Sequence, residues 1–462
     1  MDVTLLSRIQ FGMNIGFHYI YPPISIGVSF MLVIFGAMYL WTKKPLHKEI
    51  YRFWVKMFAL SFALGVATGI VMMFAFGTNW ARYSRFVGDV FGSALGAEGI
   101  FAFFLEAGFL GVVLFGWDKV RPWFHYMAMV FVAFGAHFSA LWIVIANSWM
   151  QTPAGYKIVH QFGESKAIVT DFWAMLFNPS VLDRVTHVII GCWLTGVFFV
   201  LSVSAYYMLK KRHKAFARVT MHVGLITAII TLCLQLITAD MSARGVAKHQ
   251  PSKFAAMEGI YKTRTDAPLN LIGWVDVENE KVHALDIPGF LSYLTYGTEK
   301  KPIVGFDQIP PSDRPPIQVV FQTYHLMIWM WGFMCLATLF GIFFWWRNTL
   351  ERSKFTLLGL VFSVFFPHIA NQAGWITAEV GRQPWIVYGL LRTSEGVSRV
   401  ISANQVIYSA TMFSLMYLAL FVLFVFLLNQ KIQHGPDKEG RAGAESAPLY
   451  RAPVVKQTGG KR

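Results

Sequence analysis

Charge is scarce in this 462-residue chain: Asp, Glu, Lys and Arg make up only 14%, against 55% hydrophobic residues. An ordinary soluble domain is about 45–50% apolar and about 25% charged, so a water-soluble fold is excluded. Cysteine is scarcer still. Cys192, Cys233 and Cys335 all lie in apolar stretches, and none belongs to a CxxC or CxxCH. That removes a disulfide framework, a zinc site and covalently attached c-type haem, and leaves the three as packing residues. The start, MDVTLLSRIQ, has neither the basic n-region nor the small-residue cleavage site of a secretory leader, so none is expected. No internal repeat is visible, which withholds support from a transporter built of inverted repeats. Acidic residues are outnumbered 25 to 40, for a formal charge of +15. The basic residues sit in short clusters between apolar runs, which suits membrane topology and anionic lipid headgroups rather than nucleic acid.

What the chain does have is long apolar runs. A helix needs about 20 residues to cross ~30 Å of hydrocarbon, and that criterion picks out spans near 15–41, 53–77, 95–116, 123–147, 185–209, 217–238, 319–346, 355–375 and 405–428. The expected fold is all-α, a polytopic transmembrane bundle of about nine helices. Residues 1–428 form one membrane domain, 239–318 a polar loop within it, and 429–462 a disordered tail. The connections 42–52, 210–218 and 347–354 and the tail are basic, and alternation puts all four on one side. The positive-inside rule then places the N-terminus and the long loop outside and the C-terminus inside.

Ionisable groups within a bilayer cost about 2.5–3.5 kcal/mol each on insertion scales, so each needs a reason. With that orientation His18, Glu98, His187, His325, Met327 and Glu379 all fall near the outer ends of their segments. Imidazole, thioether and carboxylate are all plausible iron ligands. For any single histidine, a hydrogen bond across helices is the plainer reading. His325 and Met327 are two residues apart, about 200° around a helix, and cannot both bind one haem. His125 and His222 come near the inner end, and His137 and His368 nearer the middle. The residues by themselves reach an outer-side cofactor or ion cluster. Glu98 and Glu106 are separated by ~12 Å of helical rise and ~80° of rotation, with Asp118 ~18 Å further on at the inner end. Such a ladder suits a proton relay; one buried Glu plus an interfacial Asp is the plainer alternative.

The stretch GWITAEVGRQPW, Gly374 to Trp385, carries a resemblance that extends to about Leu428. It is similar to the GWxxxExGRQPW of subunit I of the cytochrome bd-type quinol oxidases, including their cyanide-insensitive branch. Supporting matches are GFHYIYPPISIG, EGIFAFFLE followed by FGWD, SALWIVIANSWMQ and SKFAAMEG. The resemblance implies three haems, two of type b and a third of type d or b. It makes His187 and Met327 the axial ligands of the low-spin b haem, and His18 and Glu379 those of the two high-spin haems. Glu98 would lie beside that pair, Trp375 between haems, and Arg382 against propionates or Glu379. Lys253 and Glu258 match the quinol-loop pattern, although composition alone reads them as solvated loop charges. Glu258 would take protons from quinol, and Glu106, Glu98 and Asp118 would carry protons from inside to the site where O2 becomes water. No ion is pumped in this scheme. The resemblance further implies a second large subunit, small single-helix subunits and the bacterial inner membrane. The loop looks like the short class. Two departures stand out: His325 where many members have Arg, and Ala107 after Glu106 where some have Ser. The alternative from a different class is a proton- or cation-translocating transporter without haem.

Overall fold

The computed structural model describes residues 2–161 and 163–437. Nine helical stretches among them are long and apolar enough to cross a membrane, in the order expected. The first is broken, α1 (Val3–His18) followed by α2 (Tyr21–Thr42). Pro22 has no N–H to give the His18 carbonyl, so the ladder stops there and a new helix starts with proline in its first turn. Next come α3 (Pro45–Thr78), α4 (Ala81–Ala97), a π-helical turn (Glu98–Ala102), α5 (Phe103–Phe115) and α6 (Pro122–Gln151). A hairpin of β1 (Tyr156–Gln161) and β2 (Glu164–Val169) leads through α7 (Phe172–Leu176) to α8 (Val181–Leu209) and α9 (Lys214–His249).

The polar stretch that follows is folded. It holds α10 (Pro251–Glu258), a second hairpin of β3 (Leu269–Asp276) and β4 (Lys281–Ile287), and α11 (Phe290–Tyr296). Residues 239–249, expected in this loop, instead continue α9. Then come α12 (Ile317–Trp346), α13 (Lys354–Phe362) and α14 (Phe365–Val380), the last two forming one span. That span bends ahead of Pro367, which cannot donate to the Ser363 carbonyl. A short ribbon of β5 (Trp385–Val387) and β6 (Leu391–Arg392), then α15 (Thr393–Gly396), precede α16 (Ala403–His434). The last helix thus passes residue 428, and most of the expected tail, 438–462, lies outside the described residues.

The main core packs α2, α3, α8 and α9 through Tyr21, Leu32, Phe35, Trp54, Phe58, Phe198 and Leu225. At its tightest point α2 crosses α8 backbone to backbone. A Cβ on Gly27 would lie 2.1 Å from the Cys192 carbonyl oxygen, and one on Gly196 2.1 Å from the Gly27 carbonyl carbon. Small residues let membrane helices approach in this way. Cys192 is buried at this crossing and the half-buried Cys335 packs against the main core, whereas Cys233 is exposed, so the packing expectation fails only there. The outward faces of α9, α12 and α16 carry exposed Ile230, Phe340 and Phe426, as a lipid-facing surface requires.

Candidate active site

Helix α14 carries Glu379 in its last turn, inside the helix rather than past its end as expected. Its Oε1 accepts from Asn147 Nδ2 and Gln151 Nε2, both at 3.1 Å, and its Oε2 from Arg382 Nη2 at 2.5 Å. Asn147 and Gln151 are four residues apart on α6, hence on one face. Each amide turns its oxygen the other way, to a cation. Asn147 Oδ1 accepts from Arg184 Nη2, and Gln151 Oε1 from Lys253 Nζ at 2.6 Å. Two amides thus join two cations to one carboxylate, with Arg382 a third cation. Positive charge is in excess. The buried Arg184 Nε and Arg382 Nη1 have no partner among the described residues, and buried donors rarely stay unpaired. The arrangement is a seat for further anionic groups.

Trp375 lies against this cluster, with the Arg184 guanidinium 5.8 Å from its ring centre and Tyr19 edge-on at 5.5 Å. Lys253 and Glu258, at the two ends of α10, are not solvated charges: they are 2% and 1% exposed. Burial, then the Arg184 charge, push the Lys253 amine well below the usual lysine range, against the pull of Glu379. Burial pushes the Glu258 carboxyl up to about 7, with Tyr324 of α12 as its hydrogen-bonding neighbour. Gly259, in the left-handed region at φ +68°, ends α10 directly after it.

The Glu258 carbonyl accepts from Asn270 Nδ2 at 2.7 Å, and the Asn270 carbonyl faces His325 Nε2 at 2.8 Å. His325 Nδ1 faces the Phe321 carbonyl, also at 2.8 Å, so both its nitrogens are engaged with backbone. Met327, one turn on from Tyr324, meets α14 at Gly374, where a Cβ would sit 2.9 Å from its sulfur. A residue larger than glycine there displaces the thioether.

His18 ends α1 and places Nδ1 2.9 Å from Thr68 Oγ1 on α3. That hydroxyl already donates to the Leu64 carbonyl at 2.8 Å, so it accepts from Nδ1–H and leaves Nε2 with a ligating lone pair. His187 on α8 faces Gln235 of α9, whose Nε2 is 2.9 Å from Nδ1 while its buried Oε1 is unpartnered. The same Nε2 is 3.3 Å from His187 Nε2, so the amide faces both ring nitrogens.

The expected acidic ladder runs through a π-helical turn rather than one continuous α-helix. Glu98 begins the π turn and accepts from Ser139 Oγ at 2.6 Å, Glu106 is buried on α5, and Asp118 is exposed in the turn beyond, 3.7 Å from Lys48. The π turn winds less per residue than an α-helix, so it brings Glu98 and Glu106 closer in phase than the continuous-helix spacing gives. Arg184, Asn147 and Gln151 were not singled out from the sequence. Their signals were there: an amide pair at helical spacing within SALWIVIANSWMQ, and an arginine one turn before His187. Asn270 and Tyr324 carried no such signal.

Comparison with known proteins identifies the family. Residues 6–436 match the family model described as cytochrome bd terminal oxidase subunit I. Subunit 1 of the cytochrome bd ubiquinol oxidase of Bacillus subtilis (strain 168) is 36% identical, over 95% of each chain. Subunit 1 of the cytochrome bd-II ubiquinol oxidase of Escherichia coli (strain K12) is 30% identical, over 94% of this chain and 97% of its own. The solved bd oxidase of Geobacillus thermodenitrificans superposes with a TM-score of 0.86 at 30% identity, covering 94% of this chain and 99% of that one. The chain therefore belongs to the cytochrome bd terminal oxidase subunit I family, multi-pass membrane proteins with haem cofactors that act as quinol:O2 oxidoreductases.

Proposed function

We propose that the chain holds three haems near the outer face of the bacterial inner membrane, oxidises quinol there, and takes the protons for water from inside. The observation that carries this reading is the Glu379 cluster: one carboxylate among Arg382, Arg184 and Lys253, with two buried guanidinium nitrogens lacking acceptors among the described residues. Propionates supply the missing acceptors, so the residues present fit haem. His187 and Met327 are assigned to the low-spin b haem, and His18 and Glu379 to the two high-spin haems, of which one is d or a third b. Thr68 holds the His18 imidazole in a ligating tautomer, and Gln235 packs its amide on the His187 ring. Trp375 would pack between haems, and Glu98 would lie beside the high-spin pair. When bound, the haems carry electrons from quinol to oxygen, and a His/Met pair raises the potential of the first.

The protein's own groups handle the protons. Glu258, with Lys253 on the same short helix, receives the quinol, and its carboxylate takes the hydroxyl proton at the loop side. Asp118 at the opposite mouth, then Glu106 and Glu98, pass protons towards the oxygen site. Charge crosses the membrane because electrons and protons arrive from opposite sides, and no pumping element is required. A second large subunit and small single-helix subunits complete the assembly.

A reduced-minus-oxidised optical spectrum of the purified membrane protein tests the reading, with haem extraction to separate d from b. Three haems are expected. Met327→Leu is expected to abolish the low-spin b band first, and that band persisting unchanged sinks the His187–Met327 assignment.

A further inference from the structure

One residue receives two of the polar side chains at the start of the outer-loop helix, those of Gln250 and Lys253. Gln151, the last residue of α6, is 1% exposed. Its backbone carbonyl accepts from Gln250 Nε2 at 3.1 Å, and its side-chain Oε1 from Lys253 Nζ at 2.6 Å. Its Nε2 donates across to Glu379 Oε1 at 3.1 Å and to the Ala378 carbonyl at 3.4 Å. The helix is held close from the other side as well: a Cβ on Gly381 would stand 2.8 Å from Lys253 Cγ. We infer that Gln151 is a positioning residue that couples the seating of α10 to the orientation of the Glu379 carboxylate.

The chemistry demands an amide. Its carbonyl end suits an ammonium and its NH2 end a carboxylate, so no apolar or singly charged side chain serves both neighbours. Asn is one methylene too short to span the same gap. The parallel amide, Asn147, joins Glu379 to Arg184 on a membrane helix, whereas Gln151 joins it to Lys253 of the loop. Movement of Lys253 as quinol enters therefore reaches Glu379 through Gln151, and the inference rests on the functional reading above.

The test uses the complete oxidase and its spectrum. Lys253→Met is expected to shift the high-spin haem bands in the wild-type background and to add no further shift on top of Gln151→Leu. Quinol kcat/KM is expected to fall about tenfold in Gln151→Leu, the loss of roughly one charge-assisted hydrogen bond, and further in the double variant because Lys253 also receives the quinol, so the coupling is read from the bands. The low-spin band keeps its position throughout. Additive shifts in the double variant, or high-spin bands indifferent to both changes, overturn the coupling. If Gln151→Leu does not accumulate, Gln151→Glu keeps an acceptor for Lys253 but opposes Glu379. It is expected to shift the high-spin bands with quinol KM little changed, and unshifted bands count against the proposal. Should the wild-type protein show no haem bands, the functional reading fails, and limited proteolysis still decides this inference. Faster cleavage of the outer loop in Gln151→Leu supports its seating by Gln151, and equal cleavage overturns it.

Discussion

A carboxyl that exchanges its proton near neutrality is useful where a proton must be taken, and Glu258 has that character. Burial raises its pKa to about 7, so the carboxylate exists above that pH and is lost as pH falls through it. Quinol oxidation limited by this base therefore declines below pH 7, approaching about tenfold per pH unit. Glu258→Gln is expected to lower kcat/KM by about 100-fold or more and to flatten that limb in a stopped-flow quinol assay across pH 5.5–8.5, a range about its pKa. A limb that survives in the variant assigns the titration to another group. The same residue shows what a sequence conceals. Nothing in SKFAAMEG marks Lys253 or Glu258 as buried, because their burial comes from α6, α12 and β3, remote in the chain. Resemblance singled out both residues, and folding supplied the burial that shifts their proton affinities.

At the scale of elements, the spans were legible because length and apolar content alone decide them. The breaks were less so. Pro22 and Pro367 explain two of them once the unpaired carbonyls are counted. Helix α4 escaped notice because Arg82, Arg85 and Asp89 interrupt its apolar pattern, and the π turn at Glu98 has no compositional mark. The Gly27–Gly196 crossing fixes how α2 sits on α8, and α2 follows directly on the helix that ends at His18. A Cβ at Gly196 meets backbone rather than a side chain that could turn aside. Gly196→Ala is accordingly expected to cost about 3 kcal/mol. It should appear as an earlier thermal loss of the haem spectrum in detergent. Gly12→Ala, with nothing within 4 Å of its Cβ, is the matched control and is expected to hold or slightly raise stability. Equal midpoints for the two variants contradict a close crossing.

Across the whole molecule, polar chemistry is divided between the two ends of the bundle. One end ties its connections together with charged and polar contacts: Lys48 to Asp118, Lys56 to Asp437, Arg218 to Glu351, and Arg212 to the Gln433 carbonyl at the end of α16. The other holds the folded loop, Lys253, Glu258 and the Glu379 cluster. The excess of Lys and Arg at the first end is what places it inside on the positive-inside rule. Single cysteines read this out directly. Lys300→Cys in the loop is expected to react with a membrane-impermeant maleimide in intact cells, and Lys211→Cys in the α8–α9 turn only after permeabilisation. Both positions are exposed, so accessibility to the reagent reports the side of the membrane. The unsubstituted protein is the blank, its three cysteines all lying within membrane helices. The opposite labelling pattern inverts the molecule. It would put quinol protons into the cell, remove the separation of charge, and leave the Asp118 mouth facing the wrong reservoir.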